Sequence, residues 1–449
     1  MILWLERVLW SGPLLAALMG SHIYFTAKLR VQRWTLRGIR LSLRPGRGSE
    51  GVSSFGALAT SLAAAIGTGN IVGVATAVAL GGPGAVFWCW LTGVLGMATR
   101  YAETYLTLRH RRTLPDGSRV GGPMYVMEDR LRKPWMGRCF AVLGIAAAVG
   151  TGSLIQSNAI SSALWPLPPW LTGGAVAVLA GLVILGGLKS IAGVCEKLVP
   201  AMAAFYMLGC VWLLWRNRAL LPETFLVIFQ SAFTPRAAGG GFVGSTILTA
   251  ARYGAARGLF TNESGMGTAP MAAVSAPGSP AEEALVSMTG VFWDTVVICA
   301  MTGLALVSSM LARPEQFRDA GAGQLCYLAF EGIPLGRWIL TISLVVFAFA
   351  TIVGWCWYGE CCCRYLWGET AVTPYRLCYL AGAFAGAFGG LETVWSLGSL
   401  LAGLMAAPNL VCLLLLRREV AGSLGENSCI SAVLRYNGSG ENHGKESRS

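Results

Sequence analysis

Charge is what this sequence has least of. Only 12% of its 449 residues are charged, against about 25% in soluble domains, and so few ions cannot clothe a soluble globule of this size. Histidine is nearly missing: His22, His110 and His443 are too scattered for a zinc site or a catalytic dyad. No nucleophile stands beside a plausible base, which leaves an enzyme nothing to work with. The 13 cysteines sit mostly in apolar stretches, where cysteine behaves as a small hydrophobe, and predict no disulfide framework. Nor do basic residues gather with stacking aromatics, so the net charge of +12 does not indicate nucleic acid.

What the chain has in abundance is apolar length. Hydrophobic residues make up 54% of it, at a mean hydropathy of +0.58, and runs of about 17 to 25 apolar residues, each enough to cross a bilayer, recur to its end. Eleven such runs are expected, at residues 8–27, 55–80, 84–108, 138–162, 170–188, 193–215, 242–270, 284–310, 337–358, 375–391 and 394–416. The fold class is an all-α polytopic membrane protein. Basic residues stay on the cytoplasmic side in short loops; a cytoplasmic carboxyl end and an amino end outside put 24 of the 34 lysines and arginines within the cell. The expected location is the cell membrane, in contact with lipid over most of the chain. The first run is no cleaved signal peptide, because its basic cluster follows it, and it reads as a peripheral helix. WTLRGIRLSLRPG after it reads as an amphipathic piece on the inner surface.

One run is interrupted at its centre. In AAAIGTGNIVGVATAV (Ala63 to Val78) three glycines, Gly67, Gly69 and Gly73, surround the capping residue types Thr68 and Asn70. A helix broken in hydrocarbon exposes unpaired backbone groups, and survives only where it lines a cavity or binds something. Carbonyls end its first half and free amides start its second, so one gap can hold a cation and a carboxylate together. Close helix packing through small residues is the competing reading. A second interruption lies in RGLFTNESGMGTAP (Arg257 to Pro270), where Gly258, Gly265 and Gly267 flank Asn262, Glu263 and Ser264. Glu263, an acid at membrane depth, marks function, unless nearby Arg257 merely neutralises it. Asp294 is a second buried acid, with Arg252 or a helix end as candidate partners. Arg100 and Glu103, near a span end, read as structural snorkelling charges. Gly382, Gly386 and Gly390 form a small-residue face for packing within the chain. Cys361 to Cys363 read as small-residue filler ahead of a lipidation site.

After the first run the spans divide into two fives, each opening with a glycine-interrupted helix. Five being odd, the halves are inverted, which is the pattern of a transporter with its site where the breaks meet. The expected division is residues 1–52 for the added helix and loop, 53–240 and 241–416 for the two repeats, and 417–449 for a polar, disordered cytoplasmic tail.

GTGNIVGVATAVALGGPGAVFW (from Gly67), GMATRYAE (from Gly96), GGPMYVME (from Gly121), RGLFTNESGMGTAP and TIVGWCWYGE (from Thr351) together resemble the sodium:alanine/glycine symporters, or amino acid carrier proteins, over about residues 53–416. The resemblance implies a leucine-transporter-type 5+5 inverted repeat preceded by one helix, with eleven transmembrane helices. It also implies Na+-coupled import of alanine or glycine by a monomer that needs no cofactor beyond Na+ as coupling ion. Thr68, Gly69, Asn70, Gln156, Phe260, Asn262, Glu263, Gly265, Thr351 and Trp355 would then contact the substrate, and Ile66, Gly67, Asn70 and Thr351 the ion. Read by themselves, Gln156 is more often a helix-to-helix hydrogen bond and Trp355 ordinary packing. Phe260 and Trp355, being large, would leave room only for a small side chain. The chain departs from the family pattern at Glu283 and Ala284, where Gln-Gly is usual, and at Ala300, where threonine is common. The first departure bears on intracellular gating; the second leaves proton coupling or uncoupled transport as the alternative. A membrane channel is the different-class reading, which the scarcity of polar faces disfavours.

Overall fold

A chain whose backbone must pair with itself in hydrocarbon folds as helices. The computed structural model describes residues 2–48, 51–234, 246–389 and 391–423, and they are helical apart from turns and one short antiparallel pair, Arg112–Thr113 with Arg119–Val120. Among the described residues six helices are long and apolar enough to cross a membrane: Val8–Leu29, Pro134–Ala163, Gly187–Arg216, Pro280–Ala312, Gly336–Trp367 and Trp395–Leu415. The pair Ser54–Ala65 and Thr68–Gly81, bent by 62°, makes a seventh if counted as one span. The other expected spans fall on the Gly84–Arg109, Pro169–Ile184, Ile247–Asn262 and Val372–Gly386 helices, while residues 242–245 of the expected seventh run lie outside the described residues. Helices at Leu221–Phe233, Pro314–Phe317 and Leu325–Phe330 were not expected from the pattern of long apolar runs.

The Gly336–Trp367 helix is the axis of the bundle. Nearly every residue from Phe347 to Cys363 is buried, packed against the Ser54–Ala65, Gly187–Arg216 and Ile155–Ala163 helices. Gly354 permits the closest of these approaches, since a Cβ there would stand 2.7 Å from the backbone nitrogen of Ala64. Cys361, Cys362 and Cys363 are buried in the same helix, which fits filler and leaves none of the three open to acylation. Gly382 and Gly386 face Ser153 and the Leu154 backbone, the packing role expected of them; Gly390 lies outside the described residues.

Three expectations change. The first long helix is more than peripheral: Leu18, His22, Phe25 and Leu29 are buried, and His22 Nδ1 lies 2.8 Å from Thr99 Oγ1 of the Gly84–Arg109 helix. Arg100 and Glu103 do not snorkel; they are 3% and 2% exposed and hold the second break, as described below. The tail is helical as far as residue 423. Glu419 anchors it, lying 2.6 Å from His110 Nε2 and accepting from Arg130 at 2.9 Å. Burial opposes the charge of Glu419, but the bonds from Arg130 and His110 prevail and hold its carboxyl below the usual range. The expected disorder from residue 424 onward lies outside the described residues.

Glu360, with its side chain wholly buried, accepts from Arg364 at 3.0 Å and from Arg376 at 2.8 and 2.9 Å, tying the Gly336–Trp367 helix to the Val372–Gly386 helix. Removing one member of such a cluster strands the others, at about 3–5 kcal/mol. Glu360→Ala is expected to lower the thermal unfolding midpoint of the detergent-solubilised protein well below that of Arg318→Ala, whose pair with Glu315 is exposed; equal midpoints would show that water already reaches Glu360.

Candidate functional site

The first break forms where the glycines lie. The Ser54–Ala65 helix starts on the Ser53 side chain, which accepts from Gly56 N–H at 2.8 Å, and stops before Ile66 and Gly67. The chain then resumes with one turn at Thr68–Asn70 and the Val72–Gly81 helix. Asn70 makes the break stable. Its Oδ1 accepts from Gly67 N–H at 3.0 Å, and its Nδ2 donates to Asp294 Oδ1 at 2.6 Å. Gly67 N–H is thereby turned away from Ala63 O, the acceptor a continuous helix would give it.

The carbonyls released by this turn meet Thr351. Its Oγ1 lies 3.1 Å from Ala63 O, 3.4 Å from Ile66 O and 3.0 Å from Phe347 O. One hydroxyl hydrogen cannot satisfy three acceptors, so the cluster is rich in lone pairs and short of protons, a donor set that suits a hard monovalent cation. Ile66, Gly67 and Thr351 were candidates from the sequence; Ala63 was not, although it lies one turn before Gly67 and its carbonyl is one that a break at Gly67 would free.

Beside the oxygens stands the polar edge of the break. Thr68 Oγ1 donates to Gln156 Oε1 at 3.1 Å, and Gln156 Nε2 donates to Thr151 O at 3.3 Å. Gly67 faces both partners: a Cβ there would be 2.7 Å from Thr351 Oγ1 and 3.5 Å from Gln156 Oε1. A π-helical stretch at Ala148–Leu154 precedes Gln156, a feature common at functional sites. Trp355, one turn after Thr351, packs its Cβ over Gly152 of that stretch. A second π-helical stretch, Phe292–Cys299, carries Asp294 and Thr295, and Thr295 Oγ1 donates to the Asp294 carboxylate at 2.6 Å. Asp294 thus pairs with Asn70 and Thr295, where the sequence offered Arg252 or a helix end.

The second break forms as well. The Ile247–Asn262 helix ends in a left-handed residue, Glu263 at φ +53°, followed by Gly265 at φ +93° and Gly267 at φ +79°, and helix returns only at Pro270–Ala273. Arg100 donates to Asn262 O, Glu103 accepts from Gly267 N–H at 2.9 Å, and Asn409 Nδ2 bridges Glu103 at 2.6 Å and Gly265 O at 2.9 Å. Glu263 accepts from Thr268 Oγ1 at 2.6 Å. Arg257 does not neutralise it: Arg257 Nε donates to Gly69 O at 3.2 Å.

The expected residues therefore fall into four groups. Ile66, Gly67, Thr68, Gln156 and Thr351 come together, with Trp355 adjoining through Gly152. Asn70 joins them to Asp294. Asn262 and Gly265 belong to the network of Arg100, Glu103 and Asn409, and Glu263 beside them bonds Thr268 and Trp355. Gly69 and Phe260 meet at Arg257, and Phe260 lies edge-on to Trp10 at 6.1 Å, apart from Gln156 and Thr351. Arg257 and Trp10 were not seen as site residues: an arginine inside an apolar run is a signal, but a tryptophan near the amino end carries none.

Comparison with known proteins places this arrangement. The chain is 43% identical over 424 residues to an uncharacterized transporter of Haemophilus influenzae, an alignment covering 93% of each. It is 41% identical over 422 residues to the sodium/alanine symporter AgcS of Methanococcus maripaludis, covering 91% of this chain and 92% of that one. Among solved structures it superposes on MhsT, crystallised with L-phenylalanine, at a TM-score of 0.55 and 15% identity, over 83% of this chain and 90% of that one, a likeness of fold that supports the leucine-transporter-type architecture. The sodium:alanine symporter family description matches residues 1–427. The chain is a multi-pass membrane transporter, not an enzyme, and belongs to the sodium:alanine symporter family.

Proposed function

We propose that the chain is a Na+-coupled symporter that imports a small neutral amino acid, alanine or glycine, by alternating access. The observation that carries this reading is the hydroxyl of Thr351 set among the carbonyls of Ala63 and Ile66, beside Gly67 and the Thr68–Gln156 pair. Na+ enters as cargo on these oxygens. The substrate carboxylate meets the amide groups of Thr68 and Gly69, left free because they begin a helix, and the helix start favours its negative charge. Gln156 holds the substrate from the side, and Trp355 closes the pocket. Each ligand offsets the field of the other, so they bind together. The relative from Methanococcus maripaludis, a sodium/alanine symporter by name, supports the choice of ion and substrate.

Residues 53–240 and 241–416 act as the inverted halves, with the amino end outside and the carboxyl end in the cytoplasm. At the expected inner end Ser53 donates to Glu196 at 2.6 Å and Ser54 to Glu283 at 2.5 Å. Glu283, one of the departures from the family pattern, thus ties the start of the broken helix to the Pro280–Val291 helix and acts in gating. One observation favours a second reading. Asp294 bonds Asn70 directly, and a protonatable carboxyl touching the break suits H+ as the driving ion.

Radiolabelled alanine uptake into proteoliposomes separates these readings. Uptake is expected to saturate and to require an imposed Na+ gradient; dependence on a pH gradient alone would establish the proton reading, and gradient-independent flux at channel rates would overturn both.

Thr351→Ala is expected to raise the Na+ concentration for half-maximal uptake about tenfold or more, the equivalent of losing one contact to a charged group. Asn70→Ala, which frees Gly67 and unlinks Asp294, is expected to weaken apparent affinity for both Na+ and alanine, since coupling between two ligands is reciprocal. A fall in alanine affinity alone would show that Asn70 does not join the two sites.

A further inference from the structure

A cavity of about 330 Å³ opens between the Val72–Gly81 helix, the Ile247–Asn262 helix and the start of the last long helix. Its wall carries two guanidinium groups, Arg252 and Arg257, with Trp10, Phe260 and Trp395 and, among the described residues, no acidic side chain. Arg257 Nη2 and Trp395 Nε1 are both buried without a hydrogen-bond acceptor. A guanidinium nitrogen and an indole N–H, each buried without an acceptor, are costly. Both side chains line the cavity, and an anion in it, met by a small turn of either, would satisfy them.

The position of Arg257 says which anion. Its guanidinium fills the trough that Gly69 and Gly73 leave: a Cβ on either glycine would fall on it. It stacks on Phe260 at 5.1 Å, Phe260 meets Trp10 edge-on, and Trp10 is held by Ser399 O at 3.1 Å. Arg257 Nε rests on Gly69 O, one residue from Thr68. The guanidinium is thus the floor of the cavity and the partition between it and the break. A lone halide would leave most of the volume unused, whereas a small amino acid fits with its carboxylate toward Arg257.

From this we infer that the cavity is a waiting site, where Arg257 and Trp395 take the carboxylate of an incoming amino acid. Arg257 then leaves Gly69 O and passes the substrate to Thr68 and Gly69. The inference rests on the amino-acid symport reading. Because no part of the Thr351 oxygen cluster is used, binding here needs no Na+ and is weakened by salt.

Equilibrium binding of radiolabelled alanine to the purified full-length protein, in Na+-free choline gluconate buffer, tests it. Wild type is expected to show a weak component, displaced by propionate but not by alaninamide, which lacks the carboxylate. Arg257→Gln is expected to reduce it at least tenfold, Arg257→Lys to retain part of it, and Thr351→Ala to leave it intact. Trp395→Phe, a milder change that spares the fold, is expected to weaken it severalfold. An absent Na+-free component, an unchanged one in Arg257→Gln and Trp395→Phe, or displacement by chloride as effective as by propionate would each overturn the waiting site. Those results would leave Na+-driven uptake by wild type untouched. Absence of that uptake would instead refute the symport reading itself.

Discussion

Everything at the centre of this protein depends on one side chain closing a gap in a helix. In hydrocarbon an unpaired amide or carbonyl has no water to turn to, so a helix interrupted there needs an internal substitute for its missing turn. Asn70 is that substitute. Its oxygen takes Gly67 N–H and its nitrogen reaches Asp294 on a different helix, so the same amide that ends one half-helix fastens the break to the bundle. Satisfying Gly67 N–H in this way frees Ala63 O, while Asn70 N–H, turned to Gly67 O, frees Ile66 O, and Thr351 stands opposite both carbonyls. The proposed ion site is therefore a remainder, the oxygens left when the amides have been satisfied elsewhere.

The second break is closed by other means, and the difference suggests a division of labour. There the backbone groups are taken by charged side chains, Arg100 on Asn262 O and Glu103 on Gly267 N–H, with Asn409 holding Glu103 to Gly265 O. Charge-assisted bonds are roughly twice as strong as neutral ones, and withdrawing either ion would strand its partner in an apolar setting. Such a break is fixed in place by its surroundings. The first is closed by a neutral amide, Asn70, and meets charged groups only beyond it, at Asp294 and at Arg257 on Gly69 O.

The two breaks were legible in the sequence because glycine and capping residues inside an apolar run contradict the run itself. Gln156 and Thr351 were placed by family resemblance, and their meeting at Gly67 depends on a π-helical stretch before Gln156 that no period in the sequence announces. The sequence signal was misleading for Arg100 and Glu103. Near a span end they read as charges able to reach the interface, yet their partners are backbone groups more than 160 residues away. Asp294 was visible as an acid at depth but not its partner, since Asn70 lies 224 residues away. The neighbours of Phe260, Trp10 and Arg257, were hidden for a related reason: they are fixed by how the first helix leans on the bundle, and local sequence says nothing of that.

The three glycines of the first break, alike in sequence, face opposite surroundings. Gly67 turns to the hydroxyl of Thr351 and the amide of Gln156, while Gly69 and Gly73 turn to the guanidinium of Arg257. Across one short segment the environment thus passes from oxygen lone pairs, which favour a cation, to a guanidinium, which favours an anion. A zwitterion has its charges only a few bonds apart and gains from such a gradient over a similar length, whereas a neutral solute gains nothing and a simple ion is attracted at one end and opposed at the other. Glycine is required on both sides because any side chain would occupy the space where these charges are presented. The spacing Gly67, Gly69, Gly73 follows from helix geometry: the first lies in the broken backbone, and the other two, four residues apart, share the face of the half-helix that Arg257 covers.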